Sequence, residues 1–246
     1  MGNDRATSIM SFKLFVVFHR NIIDGCYDET TFNKKHYTYI KCNESIPLES
    51  FDYDVIEEKD FNVYDKTLQE RTYMAPSAIY HAYKNGLHED LSHIGFLEYD
   101  LKLSEGFTKS MGNMTEHSSV VSPLSSKHHI NTLISQNINM NGKNCWKQMV
   151  EDYNAFFGKK YTLVDISKGN DIVGTQQSFF MDTKTFGKIM KFIEYVVENK
   201  LCERPKSWSR PSTIMDRYFS MCMHIEKMEG VKYLPVKLDH LNRQDW

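Results

Sequence analysis

The sequence predicts an α/β fold, a single domain on a central, mostly parallel or mixed sheet with helices on both faces. Three observations lead there. The run Phe12-Lys-Leu-Phe-Val-Val-Phe18 is apolar and β-rich, as a strand buried on both faces must be. Segments of strand character alternate with segments carrying helix-start and helix-stop residues. The chain has 246 residues, 41% of them hydrophobic, enough for one sizeable core.

The elements follow in order. Residues 1–10 read as a flexible leader, 11–230 as the domain and 231–246 as a polar, irregular tail. The first strand gives way to polar His19-Arg20-Asn21, and in such sheets ligands sit beyond the carboxyl ends of the strands. Tyr37–Lys41 reads as a second strand and residues 52–65 as an acidic loop. Pro76 suits a first helical turn and Gly86 a place just past a helix end, so a short helix lies between them. Residues 94–100 form a strand that is apolar first and acidic at its end. Residues 104–128 are rich in Ser, Gly, Met and His and read as a loop with one short strand. Residues 128–137 and 145–157 read as helices, the second stopped by Gly158. Residues 161–166 and 177–181 read as strands. Asp182 opens a long amphipathic helix to Asn199, and Ser212 caps a last one ending near Met228.

Composition excludes several classes. A formal net charge of −2 gives no global pull towards nucleic acid or an anionic membrane, so no nucleic-acid partner is expected. No segment approaches the ~18 apolar residues of a transmembrane helix. The apolar stretch that ends at His19-Arg20 is too short for a signal peptide. Cys26, Cys42, Cys145, Cys202 and Cys222 are scattered and form no CxxC pair. That pattern points to a reducing compartment, hence the cytoplasm, with no disulfide framework and no zinc site. The sequons at Asn43 and Asn113 carry no meaning there. Dinucleotide, P-loop, zincin and nucleophile-elbow signatures are missing.

Glu98-Tyr99-Asp100 is the first candidate for chemistry. Residues two apart on a strand share a side, so both carboxylates converge at its carboxyl end. Hard oxygen ligands suit Mn²⁺ or Mg²⁺, which bridges nucleotide phosphates and neutralises a diphosphate leaving group. The plainer alternative is a solvated acidic strand end. Asp182 is a candidate general base, although it stands where a helix N-cap belongs. Arg204, Lys206 and Arg210 suit a diphosphate or form a solvated basic loop. His128-His129 are adjacent rather than at helical ligand spacing and read as structural.

Longer stretches carry a resemblance. Glu70-Arg71-Thr-Tyr-Met-Ala-Pro-Ser-Ala78-Ile-Tyr80-His-Ala-Tyr-Lys-Asn85 leads into His93-Ile-Gly-Phe-Leu-Glu-Tyr-Asp100. Gly174-Thr-Gln-Gln-Ser-Phe-Phe-Met-Asp182 follows, and Arg210-Pro-Ser-Thr-Ile-Met-Asp216-Arg217-Tyr-Phe-Ser220 closes the series. This order resembles GT-A-fold glycosyltransferases of bacterial polysaccharide clusters and of chlorella viruses, where such enzymes glycosylate the major capsid protein. The family's usual Asp-x-Asp metal motif reads Glu98-x-Asp100 here.

The resemblance implies a nucleotide-diphosphate sugar donor, probed first as a UDP-sugar, and a glycan or glycoprotein acceptor, in the host cytoplasm if the chain is viral. It implies Mn²⁺ (or Mg²⁺) held chiefly by Asp100, with Glu98 direct or through water, and offers His240 as a late ligand, the alternative being an ordinary surface histidine. It places Phe18, His19 and Arg20 near the nucleobase or ribose, and Arg71 and the Pro76 helix near the donor, with Arg210 on the diphosphate. Asp216 becomes the first choice of base ahead of Asp182. The competing classes are a glycan- or nucleotide-sugar-binding module without chemistry and a metal-dependent nuclease built on Glu98 and Asp100. Nothing in the sequence fixes the oligomeric state.

Overall fold

Phe12–Phe18 forms the first strand, β1, and lies inside the sheet with a neighbour on each side. The computed structural model describes residues 11–20, 22, 26, 34–42, 55–124, 128–135, 139–140, 143–168, 172–173, 177–204 and 210–240. After β1 come β2 (Tyr37–Lys41), β3 (Val55–Glu57), β4 (His93–Glu98), β5 (Leu101–Lys102) and β6 (Val120–Pro123). The short pairs β7 (His128–His129), β8 (Asn139–Met140), β9 (Lys143–Asn144) and β10 (Ile172–Val173) precede β11 (Phe179–Asp182), β12 (Lys232–Tyr233) and β13 (Asp239–His240). The helices are α1 (Thr67–Glu70), α2 (Ala75–Lys84), α3 (Phe107–Met114), α4 (Ile130–Ser135), α5 (Cys145–Phe157), α6 (Leu163–Ser167), α7 (Thr183–Glu198) and α8 (Pro211–Met228).

Among the described residues the main sheet has seven strands in the order β12-β6-β11-β4-β1-β2-β3. β11 runs antiparallel to both neighbours, and every other pairing in the sheet is parallel. The predicted mixed α/β sheet is therefore the observed one. Strand alternation splits β1 between two cores. Phe15 and Val17 face a large cluster with residues of α2, α5, α7 and α8. Phe12, Leu14, Val16 and Phe18 face a smaller cluster with Tyr37, Tyr39, Leu97, Phe180 and, from α3, Phe107 and Met111. Both faces are covered, which is why the run is apolar throughout.

Helix α2 is pinned to the turn after β3 by buried polar contacts. The Glu58 carboxylate, 2% exposed, accepts from Ser77 Oγ at 2.6 Å, His81 Nδ1 at 2.7 Å and Gln69 Nε2 at 2.6 Å. His81 Nε2 accepts the Asp65 amide at 3.0 Å, so the proton sits on Nδ1 and points at Glu58.

Several expected elements differ. Residues 161–166 were expected to be a strand, yet Leu163–Ser167 is helical. A capping box decides it: Thr162 Oγ1 accepts from Asp165 N at 3.2 Å, and Asp165 Oδ2 accepts from Thr162 N at 2.9 Å. The 104–128 segment holds α3, whose Phe107 and Met111, one helical turn apart, bury one face. The acidic 52–65 stretch contributes β3. The last helix starts at Pro211, so Arg210, not Ser212, is its N-cap. The tail is not wholly irregular: Lys232–Tyr233 extends the sheet beside β6, and Asp239–His240 pairs with β5. Residues 1–10 and 241–246 lie outside the described residues. The cysteines are free and buried, and no described helix is long and apolar enough to cross a membrane.

Gly95 sits where β1, β4 and β11 meet. A Cβ there would lie 2.5 Å from Leu14 Cδ2 and 3.0 Å from both the Phe179 carbonyl oxygen and Phe180 Cδ2. The carbonyl cannot yield without breaking the β4–β11 ladder. Gly95→Ala should therefore lower the unfolding free energy by about 1–3 kcal/mol in denaturant titration. A loss under about 0.5 kcal/mol would show that the strands do not pack this closely.

Candidate active site

The site is built at the carboxyl ends of β1 and β4. These strands are parallel neighbours with Val17 opposite Glu98, so they stop at the same level. The residues that follow, His19-Arg20 and Tyr99-Asp100, meet at the sheet edge. The His19 ring stands edge-on to Tyr99 with centroids 5.0 Å apart. Burial lowers the His19 pKa; the Arg20 charge adds to this and the Asp100 charge opposes it. Burial, Asp100 and Glu98 raise the Tyr99 hydroxyl, and Arg20 pulls it back through charge and a hydrogen bond. His19, Arg20, Glu98, Tyr99 and Asp100 thus form one cluster, with Arg20 exposed and the other four half-buried.

His240 arrives from the far end of the chain. β13 pairs antiparallel with β5, and His240 stands opposite Leu101, the residue after Asp100. Its side chain is outside the described residues. Among the described residues no three His, Cys, Asp or Glu groups are gathered closely enough to hold a metal. The described donor set is the Glu98–Asp100 pair, whose hard oxygens fit Mn²⁺ or Mg²⁺.

Phe18, expected beside a nucleobase, is fully enclosed at 0% exposure, its ring edge-on to Tyr39 at 6.4 Å. It is the last inward-facing residue of β1, and an apolar ring there joins the core. His19 and Arg20 are the residues that leave the strand.

Asp216 reaches the same edge from α8. The chain leaves α8 into β12, which is parallel to β6 and hence to β4, so the start of α8 lies at the carboxyl edge. Gln177 makes the link. Its Nε2 donates to Asp216 Oδ1. Continuing the β11–β4 register places Gln177 level with Glu98, and the next residue, Ser178, accepts the Glu98 amide on Oγ at 3.1 Å. Although part of Asp216 meets solvent, its carboxyl is enclosed, and burial pushes the pKa up from 3.8 to about 7 against the pull of Arg217 and Gln177. Neither Gln177 nor Ser178 was singled out from sequence. The available signal was a polar Gln-Gln-Ser immediately before an apolar strand.

Asp182 does not join this cluster. It stands opposite His93, at the start of β4, about 16 Å from Glu98 along the strand. Its Oδ1 accepts from Thr185 N at 2.8 Å and its Oδ2 from Val120 N at 2.9 Å, with the residue 4% exposed. Both oxygens are occupied by backbone donors, so the expected second base is a helix cap at the wrong end of the sheet. Arg71, in the turn before α2, is engaged by an acid. Its Nη1 donates to Glu203 Oε1 at 2.5 Å, its guanidinium lies 5.4 Å from the centre of the Tyr73 ring, and Tyr73 OH donates to the same Glu203 oxygen at 3.2 Å. Cys202 lies between this group and the site: burial raises its thiol, and the charges of Glu203, Asp216 and Asp152 raise it further. Arg204 is held by both oxygens of Asp152, at 2.9 and 3.1 Å, with Tyr218 OH on Oδ2 at 2.7 Å. Arg210 is exposed at the N-cap of α8. Lys206 lies outside the described residues.

No protein-family model matches the sequence, and no characterised relative is detectable by sequence. Solved structures do match. The apo structure of the bifunctional glycosyltransferase WbbM superposes with a TM-score of 0.60 at 13% identity, over 93% of this chain and 45% of that one. The S. cerevisiae mannosyltransferase Ktr4p, solved with GDP, gives a TM-score of 0.42 at 10% identity, over 94% of this chain and 71% of that one. This chain therefore spans less than half the length of WbbM. The likeness to WbbM establishes the fold: the sheet and its helices are arranged as in a solved glycosyltransferase.

Two outcomes follow from the placement of the carboxylates. Below about pH 4 Asp216 is protonated in both folded and unfolded chains and has no effect on stability. As pH rises to about 7 the unfolded chain releases that proton and the folded chain keeps it. Stability therefore falls through this window, by up to about 4 kcal/mol. Asp216→Asn should flatten this decline in denaturant titrations at several pH values; parallel curves for the two proteins would refute the raised pKa. Asp182→Ala leaves two buried amides unsatisfied and should lower stability by about 2–3 kcal/mol. Full stability in that variant would rule out the capping role.

Proposed function

We propose that this chain is a metal-assisted glycosyltransferase that moves a hexose or deoxyhexose from a nucleotide-diphosphate sugar to a hydroxyl of a glycan or glycoprotein. A UDP-sugar is the first donor to test, and a viral capsid glycoprotein is one acceptor the sequence resemblance suggests. One observation carries the reading: β4 ends at Glu98, two residues earlier than the strand expected to residue 100, and Asp100 follows in the turn beside His19 and Arg20, in a fold shared with a solved glycosyltransferase.

The residues divide the work by their chemistry. Glu98 and Asp100 are the oxygen donors that would hold Mn²⁺ or Mg²⁺, with His240 brought by β13 as a third candidate ligand. Such an ion, when bound, supplies positive charge against the diphosphate of the donor. Arg20 and Arg210, both exposed, suit the same diphosphate, and His19 is assigned to the nucleoside. Asp216 takes the proton of the acceptor hydroxyl. As that oxygen bonds to the anomeric carbon, the bond from carbon to diphosphate breaks, and its electron pair leaves with the diphosphate oxygen. A carboxyl with a pKa of about 7 is suited to that exchange near neutral pH. This assignment belongs to an inverting enzyme.

A second reading rests on the two-carboxylate donor set. Because no third metal-ligating side chain joins it among the described residues, a domain that binds nucleotide sugar or glycan without transferring it is the alternative. Turnover of a nucleotide-sugar panel with Mn²⁺ separates the two. Asp100→Ala should cut metal-dependent turnover by about a hundredfold or more and leave the circular dichroism spectrum unchanged. Wild-type rates in Asp100→Ala would sink the metal site, and glycan binding without turnover in the parent chain would favour the binding module.

A further inference from the structure

We propose that Gln177 is the positioning residue of this transfer reaction: its side-chain amide holds the Asp216 carboxylate at the Glu98 end of β4 and fixes which carboxylate oxygen meets the acceptor. The inference rests on the reading of Asp216 as the base. Three observations support it. Gln177 Nε2 donates to Asp216 Oδ1, which leaves the lone pairs of Oδ2 as the place for a proton. When Asp216 is ionised the donor is the NH₂ group, because an amide oxygen facing the carboxylate would be repelled.

Gln177 is also firmly seated. It is 5% exposed and directly precedes Ser178, which is 0% exposed and takes the Glu98 amide on its hydroxyl. The same short segment therefore fixes the end of β4 and the carboxyl of Asp216. Finally, Gln177 Oε1 is buried and has no hydrogen-bond partner among the described residues. Buried polar atoms are almost always satisfied, and an orphan persists where the group's other end is held by function. Here the bond to Asp216 sets the orientation of the amide.

The role is tested in the whole chain with Gln177→Leu, which keeps volume and removes the donor, and with Gln177→Glu, which keeps shape and adds a like charge. The Asp216 carboxyl is followed by carbon-13 NMR against pH and assigned by its disappearance in Asp216→Asn. In both variants the Asp216 midpoint should rise by about one pH unit, since a donor favours the charged form. The acidic limb of kcat should move with it, so that kcat near pH 6 falls about tenfold while the donor KM holds. An unmoved midpoint overturns the role of Gln177 whatever reaction the site runs. A midpoint that moves while the pH–rate curve stays put overturns Asp216 as the base, and the positioning role with it.

Discussion

The parallel pairing of β1 with β4, buried on both faces, is the constraint on which the site depends. Two strands in that environment can carry almost nothing but apolar side chains, so polar groups are driven to the strand ends. Parallel register then brings two such ends together on one edge. Val17 lies opposite Glu98, and the first residues free of the core, His19-Arg20 and Tyr99-Asp100, become neighbours although far apart in sequence. Gly95 lets β11 and Leu14 close in on β4, which carries Ser178 and Gln177 up to the same edge.

The helices add the remaining charge. α8 begins at this edge, so Arg210 and Asp216 reach it from above the large core. Two arginines of the flanking turns are paired with acids: Arg71 with Glu203, and Arg204 with Asp152. These pairs are partly exposed, and such contacts contribute little stability individually. Their effect is positional, tying the loop before α2 and the turn after α7 to the helices that flank Asp216. Asp216 itself is held by the Gln177 amide, and burial outweighs that bond and the nearby Arg217 in setting its pKa. Asp216 remains able to exchange a proton near neutrality.

The sequence alone determined the fold class, the central strands and the acidic end of β4, because periodicity and burial leave a direct mark on residue choice. Phe12–Phe18 could only be a doubly buried strand, and Asp182 announced the start of α7. It misread residues 161–166, where β-prone residues yielded to the Thr162–Asp165 capping box, a local hydrogen-bond pattern worth more than propensity. It offered Asp182 as base or helix cap and Phe18 as site or core residue without choosing between them, since a carboxylate or a ring near a strand end looks the same in sequence whether it faces a cleft, a backbone amide or the core. Which end of the sheet a side chain occupies is set by strand direction and register. The pairings of His240 with Leu101 and of Gln177 with Asp216 likewise join residues far apart in the chain. Only the tertiary structure decided them, because each contact depends on how distant elements pack, and no local pattern encodes that.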